Sequence, residues 1–163
     1  MHMCIKSDIK RLAAAIVVLI ALAAAATLFD HHSSSFERAE VLRVVDGDTL
    51  VVDRGRGPET VRLIGVDAPE SVHPDPALNT DAGYKASDFL RDLLPDGTEV
   101  WLEKDVTELD RFGRLLRYVW IEPPSDGAGG SMVNLILTES GHAEPRRYPP
   151  DIKYAGDLEG SRL

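Results

Sequence analysis

Two kinds of apolar pattern divide this chain. The first is a single weakly polar run from Leu12 to Phe29 with Lys6, Lys10 and Arg11 ahead of it. From Glu40 onward the apolar residues come instead in short runs set apart by Gly, Pro and acidic residues. "VLRVVD" and "TLVVD" flank Asp46-Gly47 and predict a tight β-hairpin. "RGRGPE" then separates "TLVVD" from "TVRLIGVD", so a third strand completes a meander. After the proline-rich loop "APESVHPDPALNT", the stretch "DAGYKASDFLRDLL" sets Ala86, Phe89, Leu90 and Leu93 at helical spacing, with Asp81 as its cap. "TEVWLEKD" and "RLLRYVWIE" predict two more strands. "MVNLILTESGH" predicts a short helix ending at Gly141, and "DIKYAGDLEGSRL" begins a third.

Three strands, a helix, two strands and helices make a mainly β, α+β chain without an internal repeat. Five short strands with a helix after the third suit a five-stranded OB-fold-like barrel with two to three helices. Trp101, Tyr118 and Trp120 lie in strand patterns and are expected to pack in or on the barrel.

The N-terminal pattern adds an address. Residues 1–29 form either a cleaved signal peptide, for which Ala24-Ala25-Ala26 is suitable, or a single-pass membrane anchor through residues 12–29. With the basic residues before the run, the remainder is expected on the extracytoplasmic side, secreted or anchored. Residues 30–39 are polar and aperiodic and read as a linker, with His31 and His32 solvated, which leaves 40–163 as the working domain. The sole cysteine, Cys4, precedes the apolar run, so the exported part has neither an internal disulfide nor thiolate chemistry.

The formal charge is -9; residues 1–29 hold three basic residues and Asp8, which leaves -11 on the rest. Such a domain does not attract nucleic acid over its whole surface. Any polyanion must be captured by a local cluster of cations.

Hairpin geometry supplies candidate chemistry. If 49–53 pairs antiparallel with 61–67, Asp48 and Asp67 meet at one end of the sheet. Opposed carboxylates call for a cation or a shared proton. Oxygen donors without a His or Cys cluster favour calcium or magnesium over zinc. Arg62, in a strand apolar on both faces, needs an anionic partner: Glu70 or Glu59 in the fold, or a phosphate arriving with substrate. Arg114 after Phe112-Gly113 is a second such cation, and Glu70 adds a carboxylate close to Asp67. A straight strand nevertheless leaves Arg62 roughly 16 Å from Asp67. Read singly, Asp46, Asp48 and Asp67 are also ordinary turn residues.

"VVDGDT", "VRLIGVDAPE" and "DRFGRLLRYV", in this order and spacing, resemble the three active-site motifs of the thermonuclease (staphylococcal nuclease) family across most of residues 40–150. The resemblance implies an OB-fold barrel and a calcium-dependent phosphodiesterase that cuts DNA and/or RNA to 3′-phosphate products. It implies one Ca2+ held by Asp48, Asp67 and the Ala68 carbonyl, with Asp46 and Thr49 supporting them. Arg62 and Arg114 would contact the scissile phosphate, while Glu70 orients or deprotonates water. Arg111, Phe112 and Tyr148 match weaker substrate contacts; His73, in the loop after Glu70, is read as a solvated residue. A monomer with no obligate protein partner is expected.

This chain departs from that pattern in three ways. Its domain is acidic, leaving capture to Arg62, Arg111, Arg114, Arg146 and Arg147. Phe112 stands where tyrosine is usual, keeping a ring and losing a hydroxyl. The chain stops at Leu163, early in the expected third helix, which predicts reduced stability. Two rival classes are a catalytically silent OB-fold nucleic-acid-binding module tethered outside the membrane and a structural tether with calcium-binding turns.

Overall fold

The computed structural model describes residues 36–124 and 129–161. The apolar run, its signal or anchor role and residues 30–35 lie outside these described residues. Among the described residues no helix is long and apolar enough to cross a membrane.

Strands β1 (Phe36–Asp46), β2 (Thr49–Asp53), β3 (Pro58–Leu63), β5 (Glu99–Glu103) and β6 (Leu115–Glu122) form a closed barrel. β1 is long enough to serve two partners. Its first half pairs antiparallel with β5, from Phe36↔Glu103 to Glu40↔Glu99, and its second half with β2, from Glu40↔Asp53 to Asp46↔Thr49. Irregularities in register between Val41 and Arg43 and between Val44 and Asp46 accompany the second pairing, as expected where a strand bends around a small barrel. β2 pairs with β3 and β5 with β6, all antiparallel, and the barrel closes through a parallel β3–β6 contact at Val61↔Leu115 and Arg62↔Leu116. The predicted five-stranded OB-like barrel is therefore observed, with one parallel seam. β1 begins at Phe36, so residues 36–39, expected in the linker, belong to the barrel; the ring of Phe36 meets Trp120 edge-on at 5.9 Å.

Among the described residues three α-helices flank it: α1 (Asp81–Leu93), α2 (Val133–Glu139) and α3 (Ala155–Gly160). Thr80, and not Asp81, caps α1, its hydroxyl accepting from the Gly83 N–H at 3.0 Å. Short strands β4 (Val66–Asp67) and β8 (Glu144–Pro145) pair with each other, and β7 (Ser131–Met132) pairs antiparallel with the end of β6. Val41, Leu50, Val52, Val61, Leu63, Leu102, Tyr118 and Val119 fill the barrel and are at most 1% exposed. Leu90, Leu94, Leu137 and Leu158 seal it from the helices. Each fully buried aliphatic side chain contributes about 1.5–3 kcal/mol, which makes the barrel wall a rigid mount for what it carries.

Candidate active site

The hairpin between β1 and β2 is closed by Gly47 and Asp48, since Asp46 pairs with Thr49. Gly47 does not take the positive φ of an Asp-Gly hairpin turn. Its role is space: a Cβ there would lie 2.7 Å from the Ala68 Cβ and 2.8 Å from the Ala86 Cβ. The expectation that glycine serves the bend is thus replaced by close packing of the hairpin tip against the Ala68 loop and α1.

Asp46 and Asp48 diverge from this tip. Asp46 Oδ1 accepts from the Gly47 N–H at 2.8 Å, from Ser71 Oγ at 2.6 Å and from Ser87 Oγ at 3.1 Å. It ties the hairpin to the segment after Glu70 and to α1. Asp48 is only 7% exposed. Its Oδ1 accepts from Thr49 Oγ1 at 2.9 Å, its Oδ2 accepts from the Ala68 N–H at 3.0 Å, and Arg62 Nη1 lies 3.0 Å from Oδ2. Burial pushes the Asp48 carboxyl upward, and the Arg62 charge and these hydrogen bonds only partly oppose that.

Asp48 and Asp67 do share one site, though not by the expected register. Thr49 faces Arg62, and the Leu63 N–H donates to the Asp48 carbonyl at 3.0 Å. The stretch predicted as one strand through 67 breaks at Ile64-Gly65, where Gly65 has φ 77°. The chain doubles back there, β4 swings Asp67 toward Arg62, and the roughly 16 Å of a straight strand collapses to a 3.2 Å contact between Arg62 Nη2 and Asp67 Oδ1. Arg62 Nη1 also donates to the carbonyls of Val66 at 2.9 Å and Leu63 at 3.2 Å. Neither Glu59 nor Glu70 is its partner; Glu59 pairs with Arg54.

Glu70 follows Pro69 at the rim of the same hollow. Its Oε1 accepts from the Val72 N–H at 3.0 Å, and its carbonyl accepts from the Thr80 N–H at 2.9 Å, just ahead of α1. Gly83 makes this approach possible, because a Cβ there would meet the Glu70 carbonyl oxygen at 2.1 Å. Val45, Asp46, Asp48, Thr49, Arg62, Asp67, Ala68, Glu70, His73 and Arg114 are among the walls of this cavity of about 380 Å³.

Arg114 stands on the opposite lip. Asp110 fastens it: Oδ1 accepts from the Phe112 N–H at 2.8 Å and the Arg114 N–H at 3.0 Å, and Oδ2 from Arg114 Nε at 2.6 Å. Although burial raises the Asp110 pKa, these bonds from Arg114 and Phe112 outweigh it and leave the carboxyl below its ordinary value. Phe112 is 68% exposed, with the guanidinium of Arg111 4.6 Å and that of Arg114 5.4 Å from its ring centre. A second cavity, of about 450 Å³, opens here, lined by Arg62, Leu63, Ile64, Asp110, Arg111, Phe112, Arg114, Leu116, Tyr148 and Asp151.

Arg62 and Arg114 therefore line both cavities, one acidic and one aromatic. Every residue of the sequence-derived site reaches one of the two: Asp46, Asp48, Thr49, Asp67, Ala68 and Glu70 the first, Arg111, Phe112 and Tyr148 the second. Sequence reasoning missed Ser71 and Ser87, which hold Asp46, and Asp151, whose Oδ1 accepts from the Val106 and Thr107 N–H groups at 3.0 and 2.8 Å. Asp110 was also missed, although Asp three residues before Gly113 is a recognisable turn signal.

The acidic cavity suits a hard divalent cation. Its donors are oxygens, and the positive charge between Asp48 and Asp67 in this structure is the Arg62 guanidinium, which spans both carboxylates. Among the described residues no group of three or more His, Cys, Asp or Glu side chains gathers at one point.

A closed mixed barrel with an acidic pocket and a pair of arginines on its rim defines an OB-like domain built around an anion-facing cleft. The family model for staphylococcal nuclease homologues matches residues 60–161, and the chain belongs to that family. It is 40% identical over 120 residues to the thermonuclease of Staphylococcus hyicus and 41% identical over 114 residues to that of Staphylococcus intermedius. These matches take in 74% and 70% of this chain but 66% and 62% of those proteins, just under two thirds of their length. Endonuclease YhcR of Bacillus subtilis is 37% identical over 107 residues, 62% of this chain and 8% of that protein.

Proposed function

We propose that this chain is a calcium-dependent phosphodiesterase that hydrolyses DNA and/or RNA to 3′-phosphate products. The observation that carries this reading is the shared wall: Arg62 and Arg114 stand between a cavity holding Asp48, Asp67 and Glu70 and one holding Phe112 and Tyr148. Kinship to two thermonucleases and an endonuclease supports it. A phosphodiester lying over the two arginines has its nucleoside beside the aromatic rings and its phosphorus facing the carboxylates.

Asp48, Asp67 and the Ala68 carbonyl are the residues that would hold Ca2+, which when bound neutralises charge on the phosphate. The guanidinium forks of Arg62 and Arg114 donate to the non-bridging oxygens, most strongly as negative charge builds on them at attack. Arg62 is held at this post by the Leu63 and Val66 carbonyls, and Arg114 by Asp110. Glu70, on the acidic side, orients the attacking water and takes its proton. The water oxygen bonds to phosphorus as the P–O5′ bond breaks, the phosphate stays on the 3′ side, and the 5′ oxygen leaves as a hydroxyl after taking a proton from solvent water.

The basic residues before the apolar run support an extracytoplasmic site of action, secreted or anchored through residues 12–29. Incubating the full chain with single-stranded DNA and RNA, in calcium or in chelator, and identifying the product ends tests the reading. Calcium-dependent cleavage leaving 3′-phosphates is expected. Binding without cleavage would favour the silent module, and neither binding nor cleavage the tether.

A further inference from the structure

Between Arg62 and Lys85 the chain carries Asp67, Glu70, Asp75 and Asp81 and no lysine or arginine, so this segment itself offers a polyanion no cation. Capture must come from elsewhere, and the β4–β8 pairing brings a guanidinium to the other edge. Asp67 pairs with Glu144 and Val66 with Pro145, and the Arg146 N–H then donates to the Gly65 carbonyl at 2.8 Å. The backbone of Arg146 is thereby fixed to the same turn that delivers Asp67. Its Nε lies 4.0 Å from Asp67 Oδ2, the oxygen opposite the one Arg62 touches, and its side chain is 57% exposed. The adjacent Arg147 is committed elsewhere, its Nε and Nη2 donating to the Glu159 carboxylate at 2.5 and 2.7 Å. Two positions on, Tyr148 lines the aromatic cavity.

Resting on the reading of the cleft as a phosphodiester site, we infer that Arg146 is a substrate-binding residue for the phosphate next to the scissile one. Arg62 and Arg114 serve the scissile group, and Arg146, farther out beside Asp67, meets its neighbour on the strand. Its long contact with Asp67 and its exposure leave most of its donors available. The substrate class this selects is an oligonucleotide with at least two successive phosphates. A single-phosphate nucleotide ester gains nothing from Arg146.

The test is equilibrium binding of the full chain to a fluorescent single-stranded oligonucleotide in chelator, where cleavage does not intervene, as salt is varied. Loss of one phosphate contact should lower the steepness of log K against log salt by about 0.7. Arg146→Ala is expected to show that drop and a loss of about two- to fivefold at low salt. Arg146→Lys should keep the slope, and Arg91→Ala, an equal charge change on α1, should leave it at the wild-type value. An Arg146→Ala slope equal to wild type, an equal drop in Arg91→Ala, or no measurable binding by wild type at low salt would each overturn the inference. Since binding is read without cleavage, failure of nuclease activity in the earlier assay stays a separate result.

Discussion

The acidic cavity and the aromatic cavity share two arginines, yet they are built in opposite ways. On the acidic side, Asp46 and Asp48 are at most 9% exposed and sit on a hairpin tip packed against Ala68 and α1. On the aromatic side, Phe112 and Tyr148 are 68% and 45% exposed and stand on loops fastened by Asp110 and Asp151. Buried charge is mounted on the core, whereas the aromatic rings are left on the surface; under the proposed function the first is held in a fixed arrangement and the second are free to meet a variable base. Changes on the first side should cost fold or chemistry, and changes on the second should cost affinity.

The largest contrast lies in catalysis. Glu70→Gln should lower kcat by about 10² to 10⁴ with the melting temperature held, and steady-state kinetics together with thermal unfolding read both. Next, Asp46→Ala removes the acceptor of the Gly47 N–H and leaves Ser71 and Ser87 only their mutual hydroxyl contact at 2.7 Å, for an expected loss of about 1–3 kcal/mol in denaturant unfolding. Phe112→Ala removes an exposed ring and should raise KM about 5- to 150-fold, the equivalent of roughly 1–3 kcal/mol of base stacking, with unfolding unchanged. If Phe112→Ala unfolded as readily as Asp46→Ala, the division between core-mounted and surface-mounted groups would fail.

The smallest expected effects concern pH. Asp110 has a depressed folded-state pKa, so its stabilisation is present above its unfolded value near 3.8 and is lost as pH falls through the lower folded value. Asp110→Asn should therefore flatten the acid end of the stability curve. Asp48 runs the other way. Its raised folded-state pKa means that the native state binds the extra proton, so its contribution to stability falls as pH rises from about 3.8 through the folded value. Calcium affinity should weaken as pH drops and Asp48 takes up its proton, and calcium titrations at a series of pH values below neutral would show it.

The strands and the first helix were legible because their apolar residues keep periods of two and 3.6. The pairing of Asp48 with Asp67 was legible as well, but through a register that the protein does not use. Gly65 inside a strand-like run marks a break or a bulge without saying which, and here it turns the chain and brings Asp67 back to Arg62. The role of Asp46 was out of reach, since its partners Ser71 and Ser87 lie 25 and 41 residues away and carry no local signal. The parallel β3–β6 seam, which sets Arg62 level with Leu116 and close to Arg114, was equally hidden, for it joins strands separated by a helix and β5.

In the proposed function, Asp48 and Asp67 hold one cation jointly while Glu70 stands beside it for the water. Calorimetric titration of the chelated full chain with calcium tests it most directly. One bound ion is expected in wild type and in Glu70→Gln, with binding lost or weakened at least about tenfold, some 1.4 kcal/mol, in both Asp48→Asn and Asp67→Asn. Undiminished calcium binding by both asparagine variants, each shown to be folded, would rule out joint binding by Asp48 and Asp67.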